Sequence, residues 1–365
     1  MSGKAHARGG LTRASLAALR ARKNAVPENP DGRGTMADLE GTYLGAESAY
    51  STESTSPSHN SGTLVTTMLS TEVHFQPTVV VEEEEEDDDV FVRVYFKCFH
   101  RYHPCILPAS RLRRYFNNPS FHQQLLPTMA VVRLIGSIYA RSSRSEVLLE
   151  EAESAIAKGL EGTPRSPFLA QALLLYSVST YWSHDDAKSR QYMDLALDTA
   201  LQIGMNYRSF AIDNAPDDTV LQECFRRTWW QIYVIDAAYA SIKRSASFRA
   251  AGVISDVDLP CGEDDYDRGI IPKPSTMAEF DCREFEENEK VYSSFAYLIG
   301  IIRALTHAAT VGTWQSDRSP TQETVSAIDA VVDGWFLLLP ESKQIMDSSD
   351  EIDELLYFAT MWIHA

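Results

Sequence analysis

Residues 217–243 read DDTVLQECFRRTWWQIYVIDAAYASIK. Asp217 or Asp218 supplies an N-cap oxygen, and neither proline nor glycine follows before Lys243, so the pattern predicts a helix from Val220 to about Lys243. Its apolar residues occupy more than one face, which places it at the centre of a helical assembly rather than on its surface. A carboxylate in such a helix needs a partner, so Asp236 is expected either to pair with Arg226, Arg227 or Arg244, or to sit on a partly exposed flank. Trp229 and Trp230 are adjacent and cannot share a face. One belongs to the core; the other either packs on a neighbouring helix or lines a cavity together with Tyr176, Trp182 and Tyr233.

Upstream, two helices are predicted over Ser166–Trp182 and Ala187–Met205, joined by a short SHDD turn in which Asp185 or Asp186 caps the second. Tyr192, Leu195, Ala196, Thr199 and Ile203 recur at three and four and form the expected buried stripe. The pair resembles one tetratricopeptide-type unit, but no repeat near 34 residues follows, so a solenoid is not predicted. Further helices are expected over Pro127–Ala140, with proline at the first position, and Ser145–Gly159, with Leu148, Leu149, Ala152 and Ile156 inward. Val90–His103 has a β-branched start that suits a strand, but Tyr95, Phe99 and Tyr102 favour a helix ending before Pro104. Downstream, Pro260, Gly262, Pro272 and Pro274 keep Ser245–Thr276 non-helical, and three helices are predicted over Met277–Val311, Thr321–Leu339 and Ser348–Ala365. The fold class is all-α.

The chain divides near residue 89. Residues 1–89 are rich in Gly, Ser, Thr, Ala and Pro and end in eight acids, Glu82 to Asp89, a composition predicted to stay disordered. Residues 90–365 form the helical domain. With 365 residues, 44% hydrophobic, the chain has no need of disulfide or metal staples. Its 33 basic residues against 51 acidic give a net charge of −18, unfavourable for a phosphate backbone. Arg133 interrupts the best apolar run and Arg303 bounds the next, so no membrane span is predicted. The five cysteines, Cys98, Cys105, Cys224, Cys261 and Cys282, follow no regular spacing and read as free thiols. Arg8 to Lys23 is basic, a weak likeness to a mitochondrial presequence. Arg20-Ala21-Arg22-Lys23 also suits a nuclear-import signal, and Arg20, Arg22 and Lys23 are the weak candidates for phosphate contact.

Catalytic motifs of the phosphate-loop, nucleophile-elbow, zinc-protease and dinucleotide types are absent, so the chain is not read as an enzyme. Cys98, His100, His103 and Cys105 are zinc-ligand types, but helical geometry would put the cysteines and histidines on opposite sides, so no metal site is assigned. Asp256, Asp258, Glu263, Asp264, Asp265 and Asp267 lack the calcium-loop pattern and are read as a solvated surface.

Several ordered blocks together resemble the fungal-specific transcription factor domain, the helical regulatory region of zinc binuclear cluster regulators. These are Tyr95-Phe96-x-x-Phe99-His100-x-x-His103-Pro104, the Ala170–Met205 hairpin, Arg226-Arg227-x-Trp229-Trp230 with Tyr233 and Asp236, and Asp256-Val257-Asp258-Leu259-Pro260. The segments Ile271-Pro272-x-Pro274, Ala278-Glu279-Phe280, Arg283-Glu284-Phe285 and Ser293-Ser294-Phe295-Ala296-Tyr297 are similar to a subgroup of filamentous-fungal regulators, suggesting a specialised pathway such as secondary metabolism.

The resemblance implies a nuclear regulator of transcription, with the cytoplasm as the alternative location. Its implied partners are the transcription machinery or another transcription factor, a homo- or heterodimer, and a small-molecule effector, with no membrane role. The alternatives are a small-molecule-sensing or protein-interaction module with no direct DNA role, or a non-functional truncated regulator. No cofactor is expected in this chain. The family's six-cysteine zinc cluster is expected upstream, and residues 1–89 contain no cysteine. The Gly-Arg-Pro that usually follows the Asp236 helix is replaced by Arg244-Ser245-Ala246, and family members run on beyond Ala365, so exposed apolar surface is expected from Leu355 to Trp362.

Overall fold

A computed structural model describes residues 89–245, 247–285, 290–311, 322–346 and 351–364. The predicted disordered segment falls outside these residues, apart from Asp89. Helix α1 (Val90–Tyr95) starts at Asp89, whose carboxylate accepts from the Phe91 and Val92 N–H groups at 3.2 and 3.4 Å. It widens into a π-turn over Phe96–His100, settling the strand-or-helix question for helix and ending it three residues before the expected His103.

After α2 (Ala109–Phe116), α3 spans Pro119–Tyr139. This corrects the expected start at Pro127. Asn118 caps the helix, accepting from Ser120 N–H at 3.0 Å, and Pro119 takes the first-turn position where a missing N–H costs nothing. Pro127 instead lies inside the helix, buried. An added Cβ on Gly159 of α4 (Ser145–Glu161) would come within 3.2 Å of the Pro127 ring and 2.8 Å of Leu169. Gly136 is more stringent: its Cβ would fall 1.9 Å from the Phe91 carbonyl oxygen, so α1 lies directly on the backbone of α3. On α4, Leu148, Ala152 and Ile156 are buried as expected, whereas Leu149 is exposed.

The hairpin consists of α5 (Pro167–Trp182) and α6 (Asp186–Gln202), capped by Ser166 and Asp185. Ala196 and Thr199 are buried on α6 as expected, together with Met193, Leu197 and Ala200, whereas Tyr192, Leu195 and Ile203 are half-buried at the edge, so the stripe is rotated from the expected one. Helix α5 is apolar on all sides and takes α3 on one side and α6 on the other. A short α7 (Arg208–Asn214) leads into α8 (Thr219–Ile242), capped by Asp218 through Leu221 N–H at 2.9 Å. Every residue of α8 from Glu223 to Ala240 is buried, and it packs on α5, α6, α7 and α11.

The segment expected to be non-helical contains a 3-10 turn at Arg249–Gly252 and a short α9 (Glu263–Arg268), because Pro260, Pro272, Pro274 and Gly262 all lie outside these turns. The helix expected over Met277–Val311 is two, α10 (Met277–Asp281) and α11 (Ser294–Val311). A capping box of Thr276 and Glu279 starts α10. Helices α12 (Gln322–Leu337) and α13 (Glu354–His364) pack on α11. Leu355, Leu356, Phe358, Ala359 and Met361 are buried, which corrects the expectation of exposed apolar surface along that stretch. Among the described residues β-pairing is confined to isolated bridges, Leu259 with Ser275 and Met346 with Ile352, and no helix is long and apolar enough to cross a membrane.

Candidate regulatory centre on the buried helix

Helix α8 carries one fully buried carboxylate in each half, and each organises a charge network. In the first half, Glu223 accepts from Arg226 Nε and Arg227 Nε, both at 2.9 Å, and from the Cys261 backbone N–H at 2.9 Å. The i,i+3 and i,i+4 spacing puts both guanidiniums beside one carboxylate. Burial alone would push the Glu223 carboxyl up, but Arg227 and Arg226, with the Cys261 N–H, hold it below the usual carboxylate range. Arg227 also donates to the Cys261 carbonyl at 2.7 Å and stacks over the Tyr266 ring, 4.2 Å from its centroid. The Tyr266 hydroxyl donates to the Ile106 carbonyl at 3.1 Å. One buried arginine thus ties α8 to α9 and to the extended segment after α1.

Neutral polar contacts continue this seam. Gln171 Nε2 of α5 lies 3.1 Å from the Cys105 carbonyl and 2.9 Å from Thr228 Oγ1, and the Thr228 hydroxyl lies 3.0 Å from the same carbonyl. Gln231 Nε2 and His103 Nδ1 are 3.0 Å apart. His100 and His103 are both buried, and burial pushes each down to about 3, so they are neutral at physiological pH.

In the second half of α8, Asp236 accepts from Arg190 Nη1 of α6 at 2.7 Å and from the Ala250 N–H at 2.8 Å. The expected structural pair exists, but its partner is Arg190, not Arg226, Arg227 or Arg244. Arg226 and Arg227 lie about two and a half to three turns away along α8 and are held by Glu223. Arg190 also donates to Asp194, and Arg249 bridges Asp194 and Asp198, so the network runs outward from the core to solvent.

The Asp256–Pro260 segment closes over the middle of α8. Trp230 Nε1 donates to the Asp258 carbonyl at 2.9 Å, and the Asp258 carboxylate accepts from Arg208 Nε at 2.9 Å. Asp256 accepts from the Arg208 N–H at 2.7 Å, Leu259 N–H donates to Ser275, and the Pro260 carbonyl accepts from Ser293. The reading of these acids as a solvated surface is therefore corrected for Asp258, which is half-buried and paired, and for Glu263, which faces Arg227 at 3.5 Å.

The five aromatic residues expected around one cavity are not brought together. Tyr176 is buried, donates to Glu153 at 2.6 Å and packs edge-on against Tyr192; Trp182 packs on Phe99 and Tyr139. Trp229 and Trp230 are both core, and Tyr233 packs between Trp230 and Phe248. They diverge because adjacent positions on a helix buried all round face different neighbours. No cluster of potential metal ligands occurs among the described residues. Arg20, Arg22 and Lys23 lie outside those residues. Sequence reasoning missed Glu223, although its spacing to Arg226 and Arg227 was legible. It also missed Arg190, Arg208 and Tyr266, whose partners lie 46, 50 and 160 residues away.

The model of the fungal specific transcription factor domain matches residues 92–355. A C6 finger domain transcription factor of Pestalotiopsis fici, iacK, is 30% identical over 264 residues, covering 72% of this chain and 38% of that protein. The chain thus spans well under half the length of this curated relative. No solved structure matches. The matched region begins inside α1 and ends in α13, taking in both charge networks and the segment closed over them: the chain belongs to the fungal specific transcription factor domain family.

Proposed function

We propose that this chain is a fungal transcription regulator that acts in the nucleus through its helical domain, by contacts with the transcription machinery or with another transcription factor. The family match carries this reading, and the family is one of transcription factors rather than enzymes. The relative's description as a C6 finger transcription factor supports it, and the residues that resemble filamentous-fungal regulators extend it to a specialised, secondary-metabolite pathway. All five cysteines lie between residues 98 and 282 within the helical domain, so contact with DNA through a zinc cluster comes from a partner or from a segment outside these residues.

The architecture suits regulation. Helix α8 touches four other helices and is tied by charge to three separate segments, a position from which a contact on one face bears on the others. The test is a reporter assay in which the full chain is fused to a heterologous DNA-binding domain. Reporter transcription should change relative to the DNA-binding domain alone, and disruption of the native gene should alter a discrete set of transcripts. An unchanged reporter together with an unchanged transcriptome would reject the proposal.

A further inference from the structure

Between α7, the flank of α8 and the segment preceding Asp258 lies a cavity of about 130 Å³ with apolar walls that include Met205, Phe210, Phe225 and Val257. Arg226 and Asp258 also line it. Arg226 is only 5% exposed and commits Nε to Glu223, while its two terminal Nη groups have no partner among the described residues. Four of the five N–H donors of this guanidinium are therefore left to water or to an acceptor that enters the cavity. Asp258 presents one oxygen to Arg208, at 2.9 Å from Nε and 2.8 Å from Nη2; its second oxygen has no partner among the described residues. The volume exceeds the roughly 30 Å³ share of one water molecule and falls well below the ~300 Å³ of a drug-sized pocket.

A planar fork of N–H groups matches a carboxylate bidentately, and the walls between Arg226 and Asp258 match a short hydrocarbon body. We infer that this cavity is a binding site for a small apolar carboxylate of amino-acid size, its carboxylate seated on the Nη groups of Arg226. An ammonium on the same molecule would meet the second oxygen of Asp258. Bound here, the ligand touches α7 and α8 and is one bond from Glu223, so it would strengthen the closure over the buried helix. The proposal deepens the regulatory reading by naming an effector class, but it is tested on the isolated chain. Failure of binding would leave the transcriptional role standing, and a silent reporter would leave this site standing.

The experiment is calorimetric titration and thermal melting of the full chain with valine, 3-methylbutanoate, 3-methylbutylamine and inorganic phosphate. Saturable 1:1 binding of valine or 3-methylbutanoate with a raised Tm is expected, with no binding of the amine. Tighter binding of valine would assign the ammonium to Asp258. Arg226→Gln should weaken binding at least about tenfold, the value of a charge-assisted hydrogen bond. Ile212, half exposed and also lining the cavity, provides a variant that leaves the charges intact: Ile212→Trp should block binding while the fold persists. No saturable carboxylate binding, binding of phosphate alone, or binding unchanged in Ile212→Trp would overturn the assignment.

Discussion

The two carboxylates of α8 are equally buried, yet they are held in opposite ways. Glu223 is locked by two arginines of its own helix, themselves buried, and the charge is enclosed by Tyr266 and the Cys261 backbone. Asp236 is held by an arginine from another helix, and its network leads through Asp194 and Arg249 to the surface. A network centred on the fully buried Glu223 and Arg227 fixes geometry at high cost when broken, because removing either leaves an uncompensated charge in the core. An open network can re-form with solvent and therefore suits a joint that moves. The first half of α8 reads as the anchor and the second as the adjustable end.

The sharpest way to break this contrast is Glu223→Ala, which strands two buried guanidiniums. It should cost about 3–5 kcal/mol or abolish folding, read as a lowered urea midpoint. Asp236→Ala should cost about 2–3 kcal/mol, because Arg190 keeps Asp194 and reaches water. Equal losses in the two variants would erase the distinction between anchor and joint.

Protonation sharpens the comparison, since both buried histidines flank the anchor. Each is neutral when folded, with its pKa pushed by burial from 6.5 to about 3, whereas the unfolded chain protonates near 6.5. The unfolded state therefore binds more protons over that range, and the stability is present above pH 6.5 and lost as pH falls toward 3. From pH 7 to pH 6 the two together should cost about 1.4 kcal/mol, and His103→Gln should reduce the slope. A flat stability profile across this interval would contradict their burial.

The smallest effect lies at the end of the joint. Arg244 adopts φ +52, the left-handed region where a side chain is strained. Arg244→Gly should therefore stabilise by about 0.5–1 kcal/mol, measured by the same denaturation. A loss of stability would mean that the arginine side chain matters more than its backbone.

This position also shows what the sequence revealed. The resemblance sets Arg244-Ser245-Ala246 where a Gly-Arg-Pro is expected, a departure visible in the residues; the left-handed turn at Arg244 was not visible, because backbone angles follow from packing on both sides. Helix α8 was readable from its cap and its all-round apolar character, and the Asp185 and Asp218 caps, each as one of two adjacent candidates, from local chemistry; Ser166, expected as the first residue of its helix, is instead its cap. Pro127 misled because a proline favours a first turn, yet Asn118-Pro119 offered the stronger start. The stripe on α6 was misplaced because Tyr192 and Leu195 have apolar bodies that also sit comfortably at an edge. The pairing of Asp236 with Arg190 could not be read locally, since it depends on how α6 docks against α8.

The most direct test of the anchored-helix account is native-state amide hydrogen exchange on the full chain. Amides from Glu223 to Ala240 should be the slowest to exchange, opening only with global unfolding, and Glu223→Ala should speed them together with those of α9. If the amides of α8 exchanged faster than those of the α5–α6 hairpin, or if Glu223→Ala altered only its immediate neighbours, the buried helix would not be the centre that holds this domain.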